Sequence, residues 1–168
     1  EDEANHRFRP EIVKKMAELG FFGCALPEEY GGNGFGFLES VICAEQIAKI
    51  SGSWRLPFNM QNIGPAVTVN IFGTEEQKRR FIPAWVNADS YGFFAITEPN
   101  SGSDVAGMGT TAVDCGDHWE MTGQKMWISN AQIADVFVVW AKSAAHDGKI
   151  RGFVLDKDTP GLSAPKIE

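Results

Sequence analysis

Apolar residues in the first half of the chain recur with the spacing of an α-helix. Within residues 9–20 they fall on one helical face, at Ile12, Val13, Met16 and Ala17. Pro10 suits the first turn of such a helix, and Gly20 suits its end. The pattern therefore predicts an amphipathic helix at the start of the chain.

Three further helices are predicted in this half, over residues 38–50, 62–72 and 75–82. The apolar positions of the first of these are Leu38, Val41, Ile42 and Ala48. Pro65 interrupts the second helix early, and Gly73 closes it. Thr74 and Gln77 form a capping box at the start of the third helix, and Pro83 is expected to end it.

The second half changes to short β-branched and aromatic segments, which are typical of strands. The predicted strands cover residues 93–97, 109–114, 118–122, 125–129, 136–141 and 150–155. Gly116 and Asp117 suit the turn of a hairpin. Helices followed by strands predict an α+β fold with two domains, the first over residues 1–89 and the second over residues 90–168.

Composition and charge exclude several classes of function. The 168 residues carry a formal net charge of −7, which gives no support for a nucleic-acid or anionic-membrane partner. No apolar stretch approaches the roughly 20 residues that span a bilayer, and no signal-peptide pattern opens the chain. We therefore expect a protein that is neither inserted in a membrane nor secreted.

The cysteines and the chain ends add two further expectations. Cys24, Cys43 and Cys115 are odd in number and scattered, which disfavours a disulfide framework or a zinc site. A reducing compartment is the better interpretation. The chain starts without Met and stops shortly after Pro165, so we expect it to be a piece of a longer protein.

The glycine-rich residues 31–36 (GGNGFG) invite comparison with a nucleotide-binding loop. A dinucleotide fingerprint follows a buried strand and opens a helix, whereas the polar residues 27–30 (PEEY) precede these glycines. A phosphate loop would need Lys and then Ser or Thr after its last glycine, where Phe37 and Leu38 stand. A flexible connection between helices is the favoured interpretation.

Histidines and carboxylates give weak signals for catalysis. His6, His118 and His146 lie in three different contexts without metal-ligand spacing, so surface positions are favoured. Glu98 and Asp104 could form an acid–base pair if burial raised the pKa of one carboxyl. Because Pro99 follows Glu98 and Asp104 ends a turn-like sequence, structural roles are favoured for both carboxylates.

Two segments together favour a flat aromatic ligand. Residues 98–104 offer consecutive amides and small hydroxyls, which suit close approach of a ligand to the backbone. Residues 124–130 place Trp127 two residues before Ser129, so that an indole could cover a ring and a hydroxyl could donate to its edge. Taken alone, Trp127 would more often pack in a core.

These segments resemble the acyl-CoA dehydrogenases, flavoproteins that oxidise the Cα–Cβ bond of CoA thioesters. Residues 96–104 (ITEPNSGSD) look like the first signature of the family, and residues 123–131 (GQKMWISNA) resemble its second conserved stretch. Further matches lie at residues 19–23 (LGFFG), 27–32 (PEEYGG) and 73–77 (GTEEQ). The resemblance covers nearly the whole chain in the family's order.

The resemblance implies an N-terminal helical domain, then a mainly antiparallel, β-barrel-like middle domain. It also implies a C-terminal helical bundle, which is absent from this chain. The family binds FAD with the flavin ring at the edge of the β domain. The cofactor contacts implied for this sequence are Phe94, Ile96, Thr97, Gly102, Ser103, Trp127, Ile128 and Ser129.

Three expectations about individual residues follow from the same resemblance. Ser129 stands where relatives usually have Thr, whose hydroxyl addresses flavin N5; Ser keeps the hydroxyl and loses the methyl that stiffens the rotamer. Ser103 falls where relatives contact the bound acyl-CoA. The family's catalytic Glu belongs to the C-terminal domain, so no catalytic residue is expected in this segment, which alone should not turn over.

The substrate expectation rests on one branch of the family. Residues 137–142 (FVVWAK), 147–153 (DGKIRGF) and 161–165 (GLSAP) are similar to glutaryl-CoA dehydrogenases. Arg55 falls where that branch holds the distal carboxylate of its substrate, for which a planar guanidinium is suited. The alternative is a surface or interhelical Arg. Bulkier residues at 56–59 leave release of glutaconyl-CoA, decarboxylation to crotonyl-CoA, and a different acyl-CoA all open.

The resemblance thus implies an FAD-dependent dehydrogenase that passes electrons to an electron-transfer flavoprotein. The alternatives are an acyl-CoA oxidase or flavin monooxygenase of similar fold, and a non-catalytic homologue that binds flavin or acyl-CoA. Family members are commonly tetramers or dimers, so a homo-oligomer is expected. The expected compartment is the bacterial cytoplasm or the mitochondrial matrix.

Overall fold

The computed structural model describes residues 8–129 and 131–165. The chain divides into two compact units, one ending at Gly92 and the next beginning at Phe93. Among these residues, no helix combines the length and the apolar character that crossing a membrane requires.

The first unit contains five α-helices in its described residues. They are α1 (Pro10–Glu18), α2 (Phe37–Ile50), α3 (Gly52–Asn62), α4 (Gly64–Phe72) and α5 (Glu75–Val86). The core of this unit includes Val13 and Met16 from α1, packed with Phe22 and Phe58. The predicted helices at α1, α2, α4 and α5 are confirmed, and so is the capping box of α5, in which Thr74 and Gln77 exchange hydrogen bonds.

Helix α3 escapes the sequence analysis because it contains two residues that normally break helices. Gly52 is its first residue and Pro57 lies in its interior. Phe58 and Asn62 are fully buried on this helix. The packing of these side chains outweighs the unfavourable helix propensity of proline and glycine. The predicted end of α5 at Pro83 is wrong for the same reason, since Trp85 and Val86 are buried beyond it.

The predicted apolar face of α2 is also wrong. Leu38, Val41 and Ile42 are half or more exposed, at 68%, 60% and 50%, and Ala48 is exposed as well. The face that packs on the core carries Ser40, Cys43, Ala44 and Ile47 instead. Helix α2 is apolar on most of its surface, so the sequence pattern could not tell which stripe faces this core.

Two buried side-chain amides of α3, those of Gln61 and Asn62, form hydrogen bonds to the backbone of neighbouring segments. The Gln61 side-chain nitrogen donates to the carbonyls of Trp85 (3.0 Å) and Ser90 (2.8 Å), and its oxygen accepts from the Gly92 amide at 3.0 Å. The Asn62 oxygen accepts from the Cys24 amide at 2.8 Å. Each side-chain amide therefore binds backbone groups at the ends of elements or in the connections between them.

The glycine-rich loop before α2 is a connection between helices, as predicted, and its backbone is hydrogen-bonded to the segment that precedes it. The amides of Asn33 and Phe35 donate to the carbonyls of Gly23 (2.9 Å) and Cys24 (2.8 Å). A Cβ on Gly32 would lie 2.2 Å from the Leu26 carbonyl oxygen. The glycines thus permit close backbone packing, and the loop is bonded to residues 23–24.

The second unit is built on one five-stranded mixed sheet. Its strands are β1 (Gly92–Ala95), β2 (Thr111–Asp114), β3 (Trp119–Thr122), β4 (Val136–Ser143) and β5 (Lys149–Asp156). The strand order is β1-β4-β2-β3, and β5 also pairs with β4. The β2–β3 and β4–β5 pairs are antiparallel, whereas β2 and β4 are parallel over a short stretch at Lys142 and Ser143.

Strand β4 is the centre of this sheet. Its four residues from Val136 to Val139 are all buried, and β5 pairs with it over its full length.

The predicted hairpin is confirmed, because β2 and β3 flank a turn that contains Gly116 and Asp117. A helical domain followed by a sheet domain agrees with the predicted α+β fold.

Candidate functional site

The loop after β1 folds back on itself in a tight turn. The amide of Glu98 donates to the Ser101 carbonyl at 2.9 Å, and the amide of Ser101 donates to the Glu98 carbonyl at 3.2 Å. Asp104 then accepts a hydrogen bond from the Gly107 amide through its side chain at 3.2 Å. The predicted structural role of Asp104, in which its carboxylate bonds nearby backbone, is confirmed.

Glu98 is the most highly connected side chain of this loop. Its Oε2 accepts from the Gly109 amide at 2.6 Å. Its Oε1 accepts from the Thr110 amide at 3.0 Å, from the Thr110 hydroxyl, and from Lys125 Nζ at 2.8 Å. The side chains of Glu98 and Lys125 are only 8% and 10% exposed, so the two charges form a buried ion pair.

Burial alone would raise the pKa of Glu98, but its hydrogen bonds outweigh that effect. Donation by Lys125, Thr110 and the Gly109 amide lowers the pKa from 4.5 to about 2. The carboxylate is therefore ionised at neutral pH, and its lone pairs are engaged by four donors. Such a group is a poor general base, and the predicted structural role of Glu98 is confirmed.

Lys125 joins the two segments that the sequence analysis singled out. Its Nζ also donates to the Ile96 carbonyl at 3.1 Å. The next residue, Met126, donates its amide to the Thr97 carbonyl at 2.8 Å. Two consecutive carbonyls of the loop after β1 are thus held by two consecutive residues of the second segment.

Residues 125–129 do not form the predicted strand. Trp127 has a φ of 59°, in the left-handed region, which breaks the extended conformation that a strand needs. Its side chain is 66% exposed, so core packing does not account for Trp127 in the described structure. A large aromatic residue in a costly backbone conformation is typical of functional sites.

Gly123 allows this second segment to approach the rest of the site. A Cβ at this position would lie 2.3 Å from the Thr110 hydroxyl oxygen and 2.7 Å from Thr110 Cα. Thr110 also has little space to retreat, because its hydroxyl and amide both donate to Glu98. Any larger residue at 123 would therefore disturb the hydrogen bonds of the buried carboxylate.

The remaining predicted cofactor residues lie on or beside these segments. Phe94 is half-buried on β1, with its ring centroid 5.7 Å from that of Trp140. Ile96, Thr97, Ile128 and Ser129 are half-buried, whereas Gly102 and Ser103 are exposed. Asn130, the last residue of the segment 124–130, lies outside the described residues.

Other predicted residues fall elsewhere in the chain. Arg55 is half-buried on α3, in the first unit. His118 contacts the Asp117 carboxylate at 2.6 Å, and His146 stacks on Trp119; both histidines are exposed, as predicted. His6 lies outside the described residues. Within residues 8–129 and 131–165, no three His, Cys, Asp or Glu side chains are grouped as a metal site would require.

Sequence reasoning gave no role to Lys125, Thr110 or Gly123. Lys125 did carry a signal, because a charged residue stands there directly before the apolar residues 126–128 in a segment predicted to be a strand. Thr110 and Gly123 carried none, since their importance depends on contacts across 12 and 13 residues of sequence that periodicity does not report.

The low pKa of Glu98 predicts a specific pH dependence of stability. Because the pKa is lower in the folded state than the ordinary value of 4.5, the ionised carboxylate stabilises the fold above pH 4.5. That contribution is lost as the pH falls from about 4.5 through about 2. Replacing Glu98 with Gln should therefore lower the free energy of unfolding at pH 7, and the difference from wild type should shrink toward pH 3.

Urea unfolding of wild type and Glu98→Gln at pH 7, 5, 4 and 3 measures this difference. Glu120→Gln, at an exposed position on β3, is the matched control. A wild-type advantage that stays constant from pH 7 to pH 3 would contradict the assigned ionisation.

Comparison of the sequence with known protein families gives a match for each half of the chain. The model of the acyl-CoA dehydrogenase N-terminal domain matches residues 1–89, and the model of the middle domain of the same family matches residues 93–168. Glutaryl-CoA dehydrogenase from Desulfococcus multivorans is 42% identical over 172 residues, covering 99% of this chain and 44% of the relative. The CarC subunit of the caffeyl-CoA reductase–Etf complex from Acetobacterium woodii is 36% identical over 170 residues, covering 100% of this chain and 45% of CarC.

A solved structure shows the same similarity in three dimensions. Glutaryl-CoA dehydrogenase from Mycobacterium smegmatis, in complex with FADH2, superposes with a TM-score of 0.90 at 34% identity, over 96% of this chain and 41% of that one. The chain spans less than half the length of these relatives. With both family models matched over nearly all of its residues, the chain belongs to the acyl-CoA dehydrogenase family.

Proposed function

We propose that the protein to which this chain belongs is an FAD-dependent acyl-CoA dehydrogenase that acts on glutaryl-CoA. The observation that carries the proposal is the junction of the two segments at residues 96–98 and 125–127. Three hydrogen bonds or ion-pair contacts join them, through Ile96, Thr97 and Glu98. An exposed indole, Trp127, stands directly beside this junction.

The residues at the junction suit a flavin ring. Trp127 offers an aromatic face, and its left-handed backbone indicates that the surrounding contacts enforce its position. The hydroxyls of Thr97 and Ser129 and the exposed backbone near Gly102 and Ser103 can donate to polar edges of a heterocycle. Phe94, Ile96 and Ile128 would supply the apolar contacts around it. Bound FAD would accept the hydride that leaves the Cβ of the acyl chain.

The proton acceptor is proposed to come from outside residues 96–104. Glu98 is engaged by four donors and has a pKa of about 2, so it is unsuited to remove the α-proton of a thioester. Asp104 is occupied by the Gly107 amide. In this proposal the loop binds and orients the reactants, with Ser103 on the acyl-CoA, and it does not exchange protons with them.

Arg55 is proposed to select a substrate with a distal carboxylate. Within the described ranges its guanidinium has no hydrogen bond or ion pair to another residue, although it is half-buried on α3. Asn59 follows one turn later on the same helix, and its side-chain oxygen is buried without a partner among the described residues. A half-buried guanidinium without a protein partner suits a ligand carboxylate that reaches this face, whereas the Asn59 oxygen is an acceptor and would need a donor from another group.

The proposed electron acceptor is an electron-transfer flavoprotein. This part of the proposal is supported by CarC, which the chain matches along its whole length and which belongs to a complex that contains Etf. A homo-oligomer is proposed because members of the family are commonly tetramers or dimers. Reaction with oxygen instead of a protein acceptor would indicate the alternative function of an oxidase.

Substitution of Trp127 tests the flavin site. Trp127→Ala in the full-length protein should raise the Kd for FAD roughly tenfold, because stacking contacts of an aromatic side chain contribute about 0.5–1.5 kcal/mol beyond the buried area. Trp127→Phe should retain most of the affinity. The measurement is titration of apoprotein with FAD, followed by gel filtration. An unchanged Kd for Trp127→Ala would remove the indole from the proposed site.

Substitution of Arg55 tests the substrate. Arg55→Ala should weaken glutaryl-CoA binding by roughly 10- to 100-fold, since hydrogen bonds to charged groups contribute about 1.5–3 kcal/mol, and should leave butyryl-CoA binding nearly unchanged. Arg151→Ala, an exposed arginine on β5, is the control. Equal losses for both substrates would exclude recognition of a distal carboxylate. Mass analysis of the wild-type product would separate glutaconyl-CoA from crotonyl-CoA.

A further inference from the structure

The buried ion pair between Glu98 and Lys125 lies at the crossing of the two segments proposed to hold the flavin. We propose that Glu98, Lys125 and Thr110 are positioning residues, which fix the backbone around Trp127 in the conformation that binds the isoalloxazine ring. This inference rests on the proposed function. It adds a role for three side chains that would not themselves contact the cofactor.

A buried ion pair is a weak way to stabilise a fold. Removing two charges from water costs free energy that their attraction only partly recovers, and apolar residues of similar volume often serve as well. Other ion pairs of the described chain are at the surface; in the Lys157–Asp135 pair the side chains are 55% and 33% exposed. Once its donors are in place the ionised Glu98 stabilises the fold, but an apolar pair could do that as well; the geometry that the ion pair imposes is what an apolar pair would not supply.

The ion pair is part of a ring of contacts that runs from Glu98 to Thr110, from Thr110 to Gly123, and from Lys125 back to Glu98. The Glu98 carboxylate accepts hydrogen bonds from the Thr110 amide and from the Thr110 hydroxyl. Thr110 lies against Gly123, where even a Cβ would not fit. Lys125 follows two residues later and returns to Glu98 and to the Ile96 carbonyl. Each of the three segments is thus in contact with the other two, so a shift of one segment would break contacts to both of the others.

Trp127 is the residue that this circuit controls most directly. The Met126 amide is bound to the Thr97 carbonyl, and Lys125 is bound at its side chain, so the two residues before Trp127 are fixed. The left-handed conformation of Trp127 is unfavourable for an aromatic residue and persists only where its surroundings enforce it. Loss of the Lys125 ammonium should release this strain and let the indole move from its position.

Lys125→Met in the full-length protein tests the inference, with Lys157→Met as the matched control. The two substitutions remove the same charge from the same unit, one from a buried pair and one from an exposed pair. We expect Lys125→Met to raise the Kd for FAD at least tenfold and to shift the visible absorbance band of the bound flavin. Lys157→Met should match wild type in both measurements.

A second pair of variants covers the case in which Lys125→Met does not fold. Thr110→Val keeps the shape of the side chain and removes the hydroxyl that donates to Glu98, whereas Thr110→Ser keeps the hydroxyl. The inference predicts weaker FAD binding and a shifted flavin band for Thr110→Val, and recovery of both in Thr110→Ser. A role in stability alone would lower the Tm of Thr110→Val without moving the flavin band.

Amide hydrogen exchange separates failure of this inference from failure of the proposed function. Peptides covering residues 123–129 should exchange faster in Lys125→Met than in Lys157→Met, whether or not flavin is bound. If wild-type protein binds no FAD, the proposed function fails, and with it the flavin part of this inference. If wild type binds FAD, and Lys125→Met and Thr110→Val both match their controls in Kd, flavin band and exchange, the inference alone is overturned.

Discussion

Two opposite charges removed from water, on Glu98 and Lys125, join separate stretches of the second unit of this chain. The Glu98 carboxylate needs donors on each oxygen, and it obtains them from Lys125, from Thr110 and from the Gly109 amide. These donors lie on separate stretches of the chain, so satisfying one carboxylate brings the loop after β1, the two residues before β2 and the segment after β3 together. We infer that the position of Trp127 follows from that requirement.

The first unit uses neutral groups for a similar purpose. Gln61 and Asn62 are buried side by side on α3, and each engages backbone groups at the ends of elements or in the segments between them. Buried polar groups must be satisfied, so a single side chain of this kind specifies where a connecting segment runs. In both units, the connections between elements are set by a few buried polar side chains, while apolar packing sets the elements themselves.

The elements were largely predictable from periodicity, because helices and strands with one buried face repeat their apolar residues at fixed intervals. The failures have identifiable causes. Helix α3 begins at Gly52 and contains Pro57, and only its buried side chains reveal that it forms. Residues 125–129 have the composition of a strand, yet the left-handed Trp127 ends any extended run. The buried face of α2 depends on what packs against it, which its own sequence does not state.

The candidate site divides in the same way. Residues 96–104 and 123–131 were recognisable as motifs, and the structure joins them by hydrogen bonds. The motif did not reveal why Glu98 is needed, since its partners are distant in sequence and its pKa of about 2 arises only when all of them are in place. Arg55 was found from the resemblance alone, and its half-buried position on α3 is compatible with the role proposed for it.

The most direct test of this account is a crystal structure of the full-length protein with FAD bound. The account predicts that the isoalloxazine ring contacts Trp127 and the backbone of residues 96–103, and that the Glu98–Lys125 ion pair remains buried and intact beneath it. A ring bound elsewhere, or a ring bound at this edge with Glu98 and Lys125 separated, would contradict the account.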